Sequence, residues 1–236
     1  PAPVWHPKAG RYLGTASISI TRDPDTGYVN VGTYRVMIHD RHTMAFYISP
    51  GKDGRIIREK YFARGLPCPV AVVTGQDPAL LLAGLLTLPH GQSEYEYIGA
   101  LLGKPVEVIR GPATGLPIPA GGEIAIEGES YPEDRRVEGP FGEWTGYYAS
   151  SSRPEPTIRV KTVMHRNEPI LCGNPPTRPP VSGHTVASSL LQSATIWEAL
   201  EAAGVPDVRS VRSHELGGHR FLTIISIKQR YPGHAR

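Results

Sequence analysis

Glycine and proline together supply about a fifth of this chain, and this feature constrains the fold more than any other. The 236 residues include 26 glycines and 24 prolines, which are spread along the sequence without a period. Glycine favours turns, and proline interrupts helices because it lacks a backbone N–H. The sequence therefore predicts short strands joined by many turns and argues against a helix bundle.

Charge, hydropathy and cysteine content exclude several functional classes. The 25 basic and 22 acidic residues give a formal net charge of +3 with no basic run, so nucleic acid is not a predicted partner. The longest apolar stretch, residues 79–86, is far shorter than the roughly 20 residues of a membrane span. Cys68 and Cys172 are too few and too isolated for a disulfide framework, which favours a reducing, cytoplasmic location.

Runs rich in β-branched residues dominate the first two thirds of the chain. They predict strands at residues 15–21, 28–39 with a break at Gly32, 44–49, 70–74, 105–110, 122–130 and 157–164. Three helices are predicted between them, at residues 56–64, 78–86 and 93–102. Asp77 is placed to cap the second helix, and Pro78 suits its first position.

The pattern changes near Gly173. Residues 174–181 contain four prolines and are typical of a linker, after which an apolar-periodic helix is predicted at residues 185–203. Strands at 208–213 and 221–227 complete an α/β pattern. We therefore expect a domain at 1–172, a linker at 173–184 and a second domain at 185–236. A parallel strand at 221–227 would lack its crossover helix, which predicts that the chain is a fragment.

Widespread catalytic and nucleotide-binding motifs are absent. The sequence contains no GxGxxG, GxxxxGK[ST] or GxSxG pattern. His214 and Glu215 begin like a zinc-protease motif, but the next histidine, His219, is one residue too late to share a helix face. The histidines alone therefore predict no metal site.

Two carboxylates flank a short segment that cannot be helical. Glu138 and Glu143 are separated by Gly-Pro-Phe-Gly, and a turn there can bring both side chains toward one point. Two close carboxylates push one pKa up, which gives an acid able to donate a proton near neutrality. A solvated acidic turn is the alternative interpretation.

Two further segments carry side chains suited to ligand binding. Arg35 lies in a strand-like run beside Gly32, where a guanidinium can bind a carboxylate through two hydrogen bonds, although most strand arginines lie on the surface. Ser93 can cap a helix with Glu96 as its capping-box partner, which would make Glu94 an ordinary helix-start charge.

An ordered set of motifs resembles one known family. The set includes Asn30-x-Gly-x-x-Arg35, Gly51-Lys-Asp53-Gly-Arg55, Gly75-Gln-Asp77-Pro78, Ser93-Glu94 and Glu138-Gly-Pro-Phe-Gly-Glu143. Together with the segments around Pro69, Pro119 and His165, it closely resembles the UbiD family of decarboxylases, which use prenylated FMN. The resemblance covers nearly all of residues 12–236.

The resemblance implies a catalytic network of Arg35, Glu138 and Glu143. By analogy, Arg35 orients the substrate carboxylate and pairs with Glu138. Glu143 is then the candidate donor of the proton that replaces the departing CO2. The chemical argument from the two carboxylates and the resemblance therefore select the same side chains.

The resemblance also implies a divalent cation, manganese or magnesium, that binds the cofactor phosphate, with potassium nearby. Asn30 and Glu94 match two of the metal ligands. Asp53 occupies the position at which the family usually has a histidine; it can bind a hard cation, or it can be a turn residue in Gly-Lys-Asp-Gly.

Other positions match the surroundings of the flavin. Thr15, Thr33 and Tyr34 correspond to residues that line the ring, whereas Leu86 and Thr87 fall near the potassium and phosphate site. Trp144 follows Glu143 and borders either the substrate pocket or the core.

The fold implied is α+β: a mainly antiparallel split β-barrel, similar to flavin reductases, followed by an incomplete α/β domain. The implied activity is non-oxidative, reversible decarboxylation of an aromatic, heteroaromatic or α,β-unsaturated carboxylic acid. A non-catalytic flavin-binding module and a subunit of a larger carboxylase assembly are the alternatives. The expected partners are a small-molecule acid substrate, further copies of the chain or a second polypeptide that supplies the missing ends, and a flavin prenyltransferase.

Overall fold

The computed structural model describes residues 2–148, 150–180 and 183–235. They form two compact units. The first consists of Pro1–Phe141 and Ser150–Gly173, and the second of Gly142–Ala149 and Asn174–Arg236. Residues 181 and 182 of the predicted linker lie outside the described residues.

The first unit is built on an antiparallel sheet. Its strands are β1 (Arg11–Tyr12), β2 (Ser17–Arg22), β3 (Val29–Gly32), β4 (Arg35–Ile38), β5 (Thr43–Tyr47), β6 (Cys68–Thr74), β7 (Val108–Arg110), β8 (Pro117–Pro119), β9 (Ile124–Ser130), β10 (Arg135–Glu138) and β11 (Arg153–His165). The described residues form a nine-stranded sheet in the order β1-β4-β5-β11-β9-β6-β2-β3, with β10 paired to β11, whereas β7 and β8 form a separate hairpin. The predicted class, α+β with a mainly antiparallel split barrel, is confirmed.

The connection between β3 and β4 forces this sheet to curl. The two strands are six positions apart in the sheet order, which would separate them by roughly 29 Å if the sheet were flat. Only two residues lie between Gly32 and Arg35, and this stretch spans at most about 11 Å. The sheet therefore bends until the end of β3 and the start of β4 meet, and the predicted site residues 30–35 lie at that closure.

Three helices cover the sheet: α1 (Asp53–Ala63), α2 (Pro78–Ala83) and α3 (Glu94–Leu102). The predicted caps are present, because Asp77 accepts a hydrogen bond from the backbone of Ala79 at 2.8 Å and Ser93 accepts one from Tyr95 at 3.4 Å. Gly103 ends α3 with a φ of 67°, a left-handed conformation that favours glycine.

The central strand β6 is buried on both faces. Val70 and Val72 point into one hydrophobic cluster, whereas Ala71 and Val73 point into another, as the two-residue period of a strand requires. On the first face α1 contributes Ile57, and on the second face α2 and α3 contribute apolar side chains. These helices begin or end beside the predicted metal and phosphate residues, so core packing fixes their positions.

The second unit contains α4 (Gly183–Ala202), β12 (Val208–Ser213), a 3₁₀ turn at Glu215–Gly217 and β13 (Thr223–Ile227). The expectation of a parallel strand at residues 221–227 is wrong with respect to its neighbour, because β12 and β13 pair antiparallel. The short connection of residues 214–222 cannot contain the crossover that a parallel pair needs. Ile224 and Ile225 are about half exposed. None of the described helices is long and apolar enough to cross a membrane.

Candidate active site

Arg35 and Glu138 form a buried ion pair. Arg35 begins β4 and Glu138 ends β10, 103 residues later. Nη2 of Arg35 donates to Oε2 of Glu138 at 2.7 Å, and Nε lies 2.7 Å from Oε1. The side chains are only 11% and 1% exposed. This two-point contact fixes the plane of both groups.

The long strand β11 brings the two residues together. Its first residues pair with β10, where Glu138 lies opposite Arg153. Its next residues pair with β5, whose other edge pairs with β4, where Arg35 lies opposite Tyr47. The guanidinium of Arg35 also lies over the ring of Tyr47, 4.3 Å from its centroid. The sheet register therefore holds a contact that nothing in the local sequence requires.

Tyr12 is a third member of this cluster, and the sequence analysis did not find it. The side chain is fully buried, and its hydroxyl donates to Oε1 of Glu138 at 2.7 Å. Burial, together with the neighbouring Glu138 carboxylate, raises the pKa of Tyr12 above its ordinary value, so the hydroxyl keeps its proton. The ring of Phe141 packs on Tyr12 at 4.5 Å between centroids. Glu138 thus receives hydrogen bonds at both oxygens.

Glu143 belongs to the second unit, since the boundary between the units falls inside the Glu138–Glu143 segment. The residues between the two carboxylates are not helical, as predicted: residues 139–141 are irregular, and Gly139 has a φ of +89°. The backbone N–H of Glu143 donates to the carbonyl oxygen of Tyr147 at 2.9 Å. The convergence of Glu143 with Arg35 and Glu138 stays a prediction.

Trp144 has its described contacts within the second unit. Its ring lies 5.8 Å from that of His219 and 5.6 Å from that of Phe221. Of the two interpretations of Trp144, these contacts favour packing.

A second buried cluster joins Asn30 and Glu94. Nδ2 of Asn30 donates to Glu94 at 3.2 Å, and the backbone N–H of Val31 donates to the other carboxylate oxygen at 2.7 Å. The hydroxyl of Tyr34 donates to Oδ1 of Asn30 at 2.8 Å and accepts from the backbone of Gly54 at 3.0 Å. Three of the predicted cofactor and metal residues, on β3, on the β3–β4 connection and on α3, therefore converge.

This second cluster concentrates negative charge. Burial raises the pKa of Glu94 to about 7, because it disfavours the charged form, and the charge of Asp53 adds to the effect. Asp53 lies at the start of α1, with its Oδ1 2.6 Å from Nδ1 of His90. The hydroxyl of Tyr28 is buried beside Asn30 and makes no hydrogen bond of good geometry within the described residues.

The donor set of this cluster suits a hard cation. The described residues contain no group of three His, Cys, Asp or Glu side chains placed to hold a metal ion, so a cation here would also need the amide oxygen of Asn30. The carboxylates of Asp53 and Glu94 and the amide oxygen of Asn30 are oxygen ligands of the kind that manganese and magnesium prefer. No ion pair with a basic side chain within the described residues involves Glu94. A divalent cation would supply the missing positive charge.

The remaining predicted residues lie around the same closure of the sheet. The backbone N–H and the hydroxyl of Thr33 both donate to the carbonyl oxygen of Gly84 at the end of α2, at 3.1 and 3.2 Å. Lys52 donates to the hydroxyl of Thr87 at 3.3 Å, and this pair of a cation and a hydroxyl suits a phosphate group. Thr15 lies between β1 and β2, and Leu86 follows α2. Their contacts with a flavin stay predictions.

Comparison with known proteins identifies the family. Residues 1–179 match the UbiD family profile described as a 3-octaprenyl-4-hydroxybenzoate carboxy-lyase Rift-related domain, and residues 185–236 match the corresponding C-terminal domain. The chain belongs to the UbiD family. The resemblance inferred from the ordered motifs is therefore confirmed.

The relatives include several decarboxylases. The chain is 37% identical over 207 residues to a pyrrole-2-carboxylic acid decarboxylase of Pseudomonas aeruginosa. This match covers 87% of this chain and 42% of that protein. The chain is also 35% identical over 236 residues to a phenolic acid decarboxylase of a Streptomyces species, and this match covers 96% of this chain and 47% of that protein. The chain thus spans less than half the length of these relatives.

Solved structures give the same family and the same architecture. An evolved dimeric form of the UbiD-class enzyme HmfF from Pelotomaculum thermopropionicum, in complex with prenylated FMN, matches with a TM-score of 0.91 and 34% identity over 100% of this chain and 54% of that one. Vanillic acid decarboxylase of Sedimentibacter hydroxybenzoicus matches with a TM-score of 0.83 and 30% identity, over 99% of this chain and 49% of that one.

Proposed function

We propose that the whole protein is a carboxy-lyase that removes CO2 reversibly from an aromatic, heteroaromatic or α,β-unsaturated carboxylic acid with the help of prenylated FMN. The observation that carries the proposal is the buried contact of Arg35 and Glu138 in a chain of the UbiD family. Decarboxylases of pyrrole-2-carboxylic and phenolic acids among the relatives support an aromatic acid as the substrate class.

Arg35 and Glu138 provide a fixed, water-poor anchor for the substrate. A guanidinium holds a carboxylate through parallel hydrogen bonds, and Arg35 is itself held by Glu138 and by the face of Tyr47. Loss of CO2 leaves a carbanion-like position that needs a proton. We assign that proton transfer to Glu143, whose carboxyl would lie within reach of the anchored substrate.

The cofactor and its metal would be held at the closure of the sheet. When bound, prenylated FMN supplies the electron sink for decarboxylation. Thr15, Thr33 and Tyr34 would face its ring, and Leu86 and Thr87 its phosphate and a potassium ion. Asn30, Asp53 and Glu94 would hold manganese or magnesium. We further propose a homo-oligomer or a partner polypeptide, and cofactor supply by a flavin prenyltransferase.

The decisive test is Glu143→Gln in the full-length protein. Glutamine keeps the shape of the side chain but has no transferable proton. We expect normal flavin absorbance and a decarboxylation rate at least about 100-fold lower, as is usual for loss of general acid–base catalysis. Substrates to assay are pyrrole-2-carboxylate and a panel of phenolic acids, with CO2 release as the readout.

The matched control is Glu59→Gln, since Glu59 is more than half exposed on α1. It should leave both flavin binding and turnover unchanged. Near-normal turnover of Glu143→Gln would contradict the role of Glu143. A wild-type protein that binds flavin but releases no CO2 from any acid would instead favour a non-catalytic flavin-binding module.

A further inference from the structure

Asp53 and His90 form a pair that the sequence did not predict. Asp53 begins α1, whereas His90 lies in the connection between α2 and α3. Nδ1 of His90 lies 2.6 Å from Oδ1 of Asp53. A carboxylate can only accept, so Nδ1 carries the hydrogen and donates it. His90 itself is about half exposed, so its other ring nitrogen can remain in water.

The pair lies next to the oxygen cluster of Asn30 and Glu94. The ring of Tyr28 lies edge-on to His90, 5.7 Å between centroids, and its buried hydroxyl lies beside Asn30. The charge of Asp53 is close enough to Glu94 to disfavour ionisation of that buried carboxyl. Asp53 is therefore the partly exposed rim of the same acidic cluster.

An aspartate in this position needs a partner if it is to serve as a ligand. Its side chain can rotate about χ1 at the start of a helix, and ordering a free side chain costs conformational entropy. The contact with His90 engages Oδ1 and leaves Oδ2 as the oxygen available to a cation. Hydrogen bonds of this kind orient metal-ligating carboxylates in proteins and change metal affinity by roughly 10- to 100-fold.

We propose that His90 is a positioning residue for the divalent cation: its hydrogen bond to Oδ1 of Asp53 orients that carboxylate so that Oδ2 joins Asn30 and Glu94 as a ligand. This inference rests on the metal site of the proposed function. It assigns the imidazole to the carboxylate and not to the metal. A loop residue 37 positions after the ligand thereby becomes part of the cation site.

The test measures manganese binding to the metal-free, full-length protein, and it needs no turnover. Free Mn²⁺ is followed by electron paramagnetic resonance during a titration. His90→Ala removes the donor, whereas His90→Asn places an amide N–H near the position of Nδ1. We expect His90→Ala to raise the Kd for Mn²⁺ by about 10- to 100-fold and His90→Asn to stay within about 3-fold of wild type.

A double-mutant comparison isolates the route of the effect. In an Asp53→Ala background, His90→Ala should cause no further loss, because the carboxylate it orients is gone. His42→Ala, which removes an exposed histidine on the turn between β4 and β5, is the matched control and should bind Mn²⁺ like wild type. Circular dichroism of each variant establishes that the fold is retained.

Three results would overturn the inference. The first is wild-type Mn²⁺ affinity in His90→Ala. The second is an equal loss of affinity in His90→Asn and His90→Ala, which would make the imidazole itself the ligand, and the third is an effect of His90→Ala that persists in the Asp53→Ala background. If the wild-type protein binds no Mn²⁺, the proposed metal site itself fails, and the role of His90 fails with it. Normal wild-type binding with an unaffected His90→Ala refutes the role of His90 alone.

Discussion

Tyr12→Phe isolates one hydrogen bond in the buried Arg35–Glu138 cluster. The substitution removes only the hydroxyl that donates to Oε1 of Glu138 at 2.7 Å. The ring keeps its contact with Phe141 and its full burial, so the hydrophobic contribution is unchanged. The carboxylate of Glu138 is 1% exposed, so water cannot replace the lost donor. A hydrogen bond to a charged group contributes about 1.5–3 kcal/mol to stability.

That range converts to a measurable change in thermal unfolding. For a chain of this length, 1 kcal/mol shifts the melting temperature by roughly 2–4 °C, so Tyr12→Phe should lower it by about 3–12 °C. Differential scanning calorimetry of the purified protein measures the shift. In a Glu138→Gln background the cost should fall to the roughly 0.5–1.5 kcal/mol of a neutral hydrogen bond.

The matched control is Tyr97→Phe, because Tyr97 is 38% exposed on α3. It should change stability by no more than about 0.5 kcal/mol. If Tyr12→Phe melts at the wild-type temperature, the hydroxyl does not stabilise the Glu138 carboxylate. An equal cost of Tyr12→Phe with and without Glu138 would mean that the loss comes from packing.

Two further predictions concern acid unfolding and the closure of the sheet. Burial alone would raise the pKa of Asp23, but the Lys60 ammonium and two backbone N–H groups hold it below its ordinary value of 3.8. The resulting stabilisation is present above pH 3.8 and is lost as the pH falls. Lys60→Met should therefore move the midpoint of acid unfolding, measured by circular dichroism, to higher pH. An unchanged midpoint would contradict this prediction. In Gly32→Ala the new Cβ would lie 2.3 Å from the ring of Tyr34, so we expect a loss of about 1–3 kcal/mol and weaker Mn²⁺ binding. Gly121→Ala, where the space is open, should change neither, and a Gly32→Ala protein with normal melting and Mn²⁺ affinity would refute the clash.

The elements that the sequence predicted correctly are those with a repeated pattern. Strand β6 and the β12 strand were evident from apolar or β-branched runs, and α2 was marked by Asp77 and Pro78 at its start. Strands β1, β8 and β10 were missed, because two to four residues are too few to display a period. The direction of β13 was wrong, since pairing depends on the length of the connection and not on the strand itself.

The same distinction applies to the candidate site. Arg35 and Glu138 were predicted together because their motifs are distinctive, although only the register of β11 brings them into contact. Tyr12 was missed because it lies in a two-residue strand, and its partner is 126 residues away. His90 was missed because it lies in an irregular connection, and no local pattern indicates that its ring reaches the first residue of α1.

The spacing of Asn30 and Arg35 matters as much as their identity. Asn30 lies on β3 and contacts Glu94 of α3, whereas Arg35 begins β4 and contacts Glu138 of β10. The side chain of Tyr34 holds Asn30, and its backbone leads directly into Arg35, so one short segment sets the positions of both clusters. Successive side chains of a strand point to opposite faces, so one residue added between Gly32 and Arg35 would turn the guanidinium away from Glu138 if it shifted the register of β4 by one residue. The six-residue motif therefore encodes a distance across the closure of the sheet, and this distance is the reason why Asn30 and Arg35, which contact two different glutamates, lie so close together in the sequence.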